Sequence, residues 1–199
     1  AYLIVDEAHS TGIYGKHGEG LVVSLGLETK IFARLHTFGK ALGAHGAVWI
    51  GSTILKDYLI NYCHSFIYTT ALPACSIAHI QSAYTCLSEN PQRIELLHQK
   101  IQLFKELVEE NRIIGFIPSD SPIQSCIVSG NSNVKKVASH LQENGFDVRP
   151  ILYPTVAEGK ERIRICLHTY NTYNEISQLV HILKMRLSPL SKMRVLIHR

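Results

Sequence analysis

The sequence predicts an α/β fold, with a parallel sheet in its first unit and a smaller α+β unit after it. Three observations carry that expectation. Short continuous apolar runs alternate with segments of helical period in the first part of the chain. The early runs end in polar, glycine-punctuated loops, as buried parallel strands do. A long amphipathic segment then separates them from a second set of strand-like and helix-like stretches.

Taken in order, Tyr2 to Val5 is a short apolar run stopped by Asp6, and Gly12, Gly15, Gly18 and Gly20 punctuate the loop that follows. A second strand is expected over Lys30 to Phe38, a turn at "TFGKALGAHGA", and a third strand over Ala47 to Ile50. Ser52 suits the N-cap of a helix to about Cys63, with Ile54, Leu55, Leu59 and Ile60 on its apolar side. Another helix spans about Ala74 to Leu87. Asn90-Pro91 opens a long one, in which Ile94, Leu97, Ile101, Phe104 and Val108 recur at helical spacing. Beyond the break at Pro118 to Pro122, a strand is expected over Ile123 to Val128, and a helix over Asn133 to Asn144 stopped by Gly145. A strand from about Phe146 to Ile151 leads to the Pro154-Thr155 turn, and "RIRICL" (Arg162 to Leu167) alternates as a strand with one buried face. Thr172 and Glu175 form a capping box for a last helix to about Leu187, and Ser188 to Arg199 reads as a basic tail. The expected domains are 1–89, a connecting helix over 90–111, and 112–187.

Composition narrows the class. The 199 residues are 46% hydrophobic and 18% charged, enough for a sizeable core. A net charge of +4, spread along the chain, argues against a dedicated nucleic-acid surface. The five cysteines (Cys63, Cys75, Cys86, Cys126, Cys166) include no C-x-x-C pair, which suits reduced thiols in a cytoplasmic protein better than disulfides or a zinc site. No apolar run reaches the ~18 residues of a membrane span. The chain starts at Ala1 on the brink of a strand, so the front half of the fold is expected to lie upstream.

The stretch "DEAH", Asp6 to His9, is how one class of nucleic-acid helicase writes a metal- and ATP-handling strand end. A helicase needs a Ser-Ala-Thr coupling motif some tens of residues later and an arginine-rich motif beyond it, and neither is present. The Gly-Lys pairs at Lys16, Lys40 and Lys160 lack the Ser or Thr that would hold magnesium. The alternative sets Asp6 beside Thr37 and Lys40 at the end of the next strand, where open α/β sheets gather ligand groups. A lysine there can form a Schiff base with an aldehyde, and a carboxylate can pair with a pyridinium nitrogen. Those are the two things pyridoxal phosphate needs from a protein. His9 could bond the ring's phenolic oxygen, and Thr37 the phosphate. Singly, Asp6 is equally a strand-end cap and Lys40 a solvated loop lysine; the set of four is what points to a cofactor.

The stretches "DEAHSTGIYGKHGEG", "TFGKALGAHGA", "FIYTTALP" and "PTVAEGKERIRICLH" resemble the α-oxoamine synthase family of pyridoxal-phosphate enzymes, in order and in spacing, from about Ala1 to Leu187. The resemblance implies the carboxyl-terminal half of a fold type I (aspartate aminotransferase-like) enzyme. It also implies a homodimer with active sites at the subunit interface. The implied reaction is decarboxylative condensation of L-alanine with a pimeloyl thioester of coenzyme A or an acyl carrier protein. It makes Lys40 the cofactor-linked lysine and a proton carrier, Asp6 the partner of the pyridine nitrogen, and His9 a contact of the ring oxygen. Thr37 falls near the phosphate, and Thr70, with Thr69, near the phosphate of a neighbouring subunit's cofactor. Arg164 would hold the amino acid carboxylate as a planar fork, and Thr155 would touch substrate. Arg162 is expected on the other strand face, with a structural role. Ala74 and Ala157 stand where the family often has proline. A glycine-using relative and a non-catalytic partner subunit remain the alternatives.

Overall fold

The computed structural model describes residues 1–197, with side chains through Leu187. Two compact units divide the chain, Ala1–Glu95 and Leu96–Arg199.

The first unit is built on three strands, β1 (Ile4–Asp6), β2 (Ala33–Thr37) and β3 (Ala47–Gly51), in the order β1-β2-β3. β1 and β2 are parallel, with Asp6 opposite Leu35. β3 runs antiparallel to β2, with Thr37 opposite Ala47, so the sheet is not wholly parallel as expected. The 38–46 turn decides this, because a parallel return needs a crossover of about a dozen residues or more. Instead the turn folds back on itself: the Phe38 N–H donates to the Gly46 carbonyl at 2.9 Å and the Ala44 N–H to the Phe38 carbonyl at 2.8 Å. A one-turn helix α1 (Leu21–Ser24) closes the glycine loop.

Three helices follow in this unit: α2 (Thr53–Tyr62), α3 (His64–Ile67) and α4 (Ala74–Glu89). Ser52 caps α2 as expected, accepting the Leu55 N–H at 3.2 Å. None of the three buries a residue. Ile54 is 83% exposed and Ile60 49%, so the apolar stripe read from the sequence exists but has no cover within the described residues.

The long helix α5 (Gln92–Glu110) begins just after Asn90-Pro91 and buries Ile94, Ile101 and Phe104. The second unit continues with β4 (Phe116–Ile117), β5 (Ile123–Ile127), α6 (Asn131–Glu143), β6 (Arg149–Ile151), β7 (Arg162–Cys166) and α7 (Tyr173–Ile197). Its sheet is antiparallel throughout, in the order β4-β5-β7-β6. α6 buries Val134, Val137, Ala138 and Leu141, one stripe at helical spacing. α7 adds Ile176, Val180 and Leu183 to the same core. Each such buried aliphatic side chain contributes on the order of 1.5–3 kcal/mol. The capping box forms as read: the Thr172 N–H donates to Glu175 Oε2 at 2.7 Å and the Glu175 N–H to Thr172 Oγ1 at 3.2 Å. α7 continues past the expected stop at Leu187 to Ile197.

β7 sends Ile163 and Ile165 into the core and leaves Arg164 and Cys166 exposed. Residues two apart share a strand face. Arg162 therefore lies on the same face as Arg164, which corrects the expectation that it lies on the other. Its Nε donates to the Lys160 carbonyl at 3.0 Å.

Candidate active site

The carboxyl ends of β1 and β2 form one sheet edge, and the expected site begins there. Asp6 is the last residue of β1, registered with Leu35; Thr37 lies two residues further along β2 and therefore on the same face. Asp6 is exposed, and its Oδ1 accepts the Ala8 N–H at 2.8 Å, which orients the carboxylate across the turn. Thr37 Oγ1 is buried and has no hydrogen-bond partner. Lys40 follows in the 38–46 turn, exposed, its carbonyl accepting the Gly43 N–H at 3.1 Å. Gly12, at φ +78°, presses on this turn: a Cβ there would stand 2.8 Å from the Cβ of Ala41. Only glycine lets the preceding loop seat so closely against the residue after Lys40.

The residue that organises this edge is Glu7, to which the sequence assigned no role. Its side chain is 1% exposed. Oε2 accepts the Ser10 hydroxyl and the Leu21 N–H (2.9 Å), and Oε1 accepts the Val22 N–H (2.9 Å). The carboxylate thus caps α1 and supplies the negative charge a helix N-terminus favours. Its backbone carbonyl accepts the N–H groups of Ser10 and Thr11 and, at 2.7 Å, the Thr11 hydroxyl. Asp6 and His9 flank this clamp, with His9 exposed on the same turn. No short-range pattern announces it, because acceptor and helix donors are 14 and 15 residues apart in sequence.

Behind the clamp lies His36, 3% exposed on β2, with Nδ1 2.8 Å from Thr11 Oγ1. The Thr11 proton is already given to the Glu7 carbonyl, so the hydroxyl accepts here and Nδ1 carries the ring hydrogen. Nε2 is then a bare acceptor, buried without a partner. Burial holds the His36 pKa below 6.5; the Glu7 charge opposes that shift and Arg34 adds to it.

Thr70 lies in the exposed connection between α3 and α4. Thr155 and Arg164 belong to the second unit. Thr155 is exposed in the turn after β6, a turn pinned by Asn131, whose Nδ2 donates to the Tyr153 carbonyl (3.3 Å) while its Oδ1 accepts the Tyr153 N–H (3.0 Å). Arg164 lies exposed on the sheet, opposite Ser125 on β5 and Arg149 on β6, and lines a cleft of about 810 Å³.

The first-unit residues fit pyridoxal phosphate. A carboxylate and a buried hydroxyl lacking a partner share one face at the strand ends, with a primary amine in the turn that follows, and an orphaned hydroxyl is what an acceptor-rich phosphate would satisfy. The described residues hold no cluster of ligands suited to a metal ion, and no described helix is long and apolar enough to cross a membrane.

A sequence model of the family described as "Aminotransferase class I and II" matches residues 1–182. An 8-amino-7-oxononanoate synthase of Emericella nidulans is 42% identical over 198 residues, which are 97% of this chain and 48% of that protein. The crystal structure of 8-amino-7-oxononanoate synthase from Francisella tularensis superposes with a TM-score of 0.86 at 30% identity, over 95% of this chain and 56% of that one. The serine palmitoyltransferase of Sphingomonas wittichii shares the fold at 20% identity, with a TM-score of 0.82 over 94% of this chain and 47% of its own. The chain spans about half the length of the curated relatives it matches.

Proposed function

The chain belongs to the class I and II aminotransferase family, whose members depend on pyridoxal phosphate, and from that premise we propose that it is the carboxyl-terminal half of an acyltransferase. The reaction is the decarboxylative condensation of L-alanine with a pimeloyl thioester, of coenzyme A or an acyl carrier protein, giving 8-amino-7-oxononanoate for biotin synthesis. The likeness to 8-amino-7-oxononanoate synthases supports this reading. The observation that carries it is the strand-end set: Asp6 and the partnerless Thr37 hydroxyl on one face, with Lys40 in the turn that follows.

Pyridoxal phosphate, when bound, supplies an electron-withdrawing ring that takes up the electron pair left on the amino acid's α-carbon by loss of a proton or of carbon dioxide. The chain's own residues do the rest. Lys40 Nζ would tether the cofactor and, as a free amine, would accept the α-proton of alanine. The Asp6 carboxylate keeps the pyridine nitrogen protonated, held in place by the Ala8 N–H. His9 donates to the ring oxygen, and the Thr37 hydroxyl to the phosphate. Arg164 grips the alanine carboxylate until it leaves as carbon dioxide, and Thr155 borders the substrate. Thr70 serves the phosphate site of a second subunit. The upstream half, together with a second subunit in a homodimer with shared active sites, would cover the exposed apolar surfaces of α2 and α3.

The test is spectroscopic and kinetic. With pyridoxal phosphate, the chain joined to an upstream half should show an absorbance band near ~420 nm, typical of a lysine-bound cofactor, and lose it in Lys40→Ala. With pimeloyl thioester it should release carbon dioxide from L-alanine faster than from glycine. No band, or a band that survives Lys40→Ala, defeats the cofactor assignment; a preference for glycine defeats the substrate.

A further inference from the structure

Building on that reading, we propose that Arg149 is a second anion-binding residue of the substrate site. It recognises the carboxylate at the far end of a dicarboxylic acyl chain, while Arg164 serves the amino acid. Arg149 and Arg164 stand directly opposite each other across the antiparallel pair β6–β7, so both side chains leave the same sheet face. Like charges placed directly opposite destabilise a sheet, so such a pair calls for anions. Both arginines line the cleft of about 810 Å³, which runs between the α6–β6 connection, the end of β7 and the first turns of α7.

The other charged and titratable groups in that cleft are Asp147, Glu175, Cys166 and His168, with Tyr170 beside them. Glu175 is committed to the Thr172 N–H. Partial covering of the Cys166 sulfur pushes its thiol pKa up, which keeps it uncharged. Asp147 holds Arg149 at 3.1 Å, and Arg164 makes no salt bridge among the described residues. The two arginines are therefore not equivalent. Asp147 and Arg149 are two residues apart and are 77% and 74% exposed, so the pair contributes little and exchanges easily. Asp147 marks where an incoming carboxylate would bind the Arg149 fork, replacing one carboxylate by another.

Apolar side chains also line this cleft. Phe146, Ile151 and Leu179 line the same cleft, and Ile151 shares the strand face of Arg149. A cleft that offers apolar side chains and a second guanidinium beside Arg164 would favour a chain that carries its own terminal carboxylate over a plain fatty acyl group. The site named is thus a specificity determinant for the acyl substrate.

The experiment is calorimetric titration of the chain joined to an upstream half with pimelate and with heptanoate, which has the same chain but one carboxylate. Pimelate should bind up to about fivefold tighter, as an exposed ion pair of up to about 1 kcal/mol allows. Arg149→Gln should bring pimelate down to the heptanoate level and leave heptanoate binding in place, which also reports that the unit is folded. Arg149→Lys should retain part of the preference. Equal binding of the two acids, binding of neither, or an undiminished preference in Arg149→Gln overturns the proposal. In the cofactor-loaded enzyme, the preference in kcat/KM for pimeloyl over heptanoyl thioester should collapse in Arg149→Gln. Discrimination without a Lys40-dependent absorbance band would sink the proposed function and leave this subsite standing; a band without discrimination would do the reverse.

Discussion

Replacing Glu7 tests whether one buried carboxylate holds the candidate site together. In Glu7→Ala the Val22 N–H loses its acceptor in a buried position and the Leu21 N–H loses one in a partly buried position. The Ser10 hydroxyl keeps the Glu7 backbone carbonyl, at 3.2 Å, and is not orphaned. A buried donor left unsatisfied costs about 1–3 kcal/mol, and the half-buried one costs less, so the change should destabilise the first unit by about 3 kcal/mol. That is a large share of the roughly 5–15 kcal/mol that holds a typical domain. Glu7→Gln retains the shape but turns an NH₂ group toward an N–H donor, and should cost about half as much. The assay is urea unfolding followed by the fluorescence of Trp49, the chain's one tryptophan, which lies on β3 and so reports the first unit. At about 2–4 °C per kcal/mol for a chain of this size, Glu7→Ala should also lower Tm by roughly 6–12 °C. A Glu7→Ala chain within about 0.5 kcal/mol of the unsubstituted one would refute the reasoning, since surface changes commonly fall in that range.

Three further outcomes follow from the same region. Because burial lowers the His36 pKa below 6.5, the unfolded chain binds more protons than the folded one as pH drops through that value. Stability of the first unit should therefore fall from about pH 6.5 downward, and an NMR titration should place the His36 midpoint below those of exposed histidines. Thr37→Val removes a buried hydroxyl that has no partner, so unfolding should show no loss of stability, while the affinity for pyridoxal phosphate falls; a destabilised Thr37→Val chain would mean the hydroxyl is bonded within the protein. Gly12→Ala should destabilise by about 1–3 kcal/mol and disturb the Lys40 turn, with partial recovery in the Gly12→Ala, Ala41→Gly double variant, because the clash is with Ala41 while the positive φ strain remains.

Much of the architecture was legible because it rests on local chemistry. The Ser52 cap, the Thr172–Glu175 capping box and the period of α5 depend on residues within a turn or two of one another, and all three formed as read. Elements set by distant partners were harder. The direction of β3 was missed although the shortness of the 38–46 turn already forbade a parallel return. The face of Arg162 was misread against the two-residue period of a strand, and α7 runs on beyond Leu187.

The same division holds for the site. By itself, the sequence determined which chemistry is present: an amine, a carboxylate, an imidazole and hydroxyls in motifs that resemble one family, and the comparisons bear out that family. Tertiary structure alone decided how those groups are held. It made Glu7 a clamp for two N–H groups that are remote in sequence, and left Thr37 Oγ1 and His36 Nε2 buried without partners. It also set Arg149 against Arg164. The reason is physical: residue type fixes what a group can donate, accept or ionise, but burial and hydrogen-bond partners come from chain segments that only the fold brings side by side.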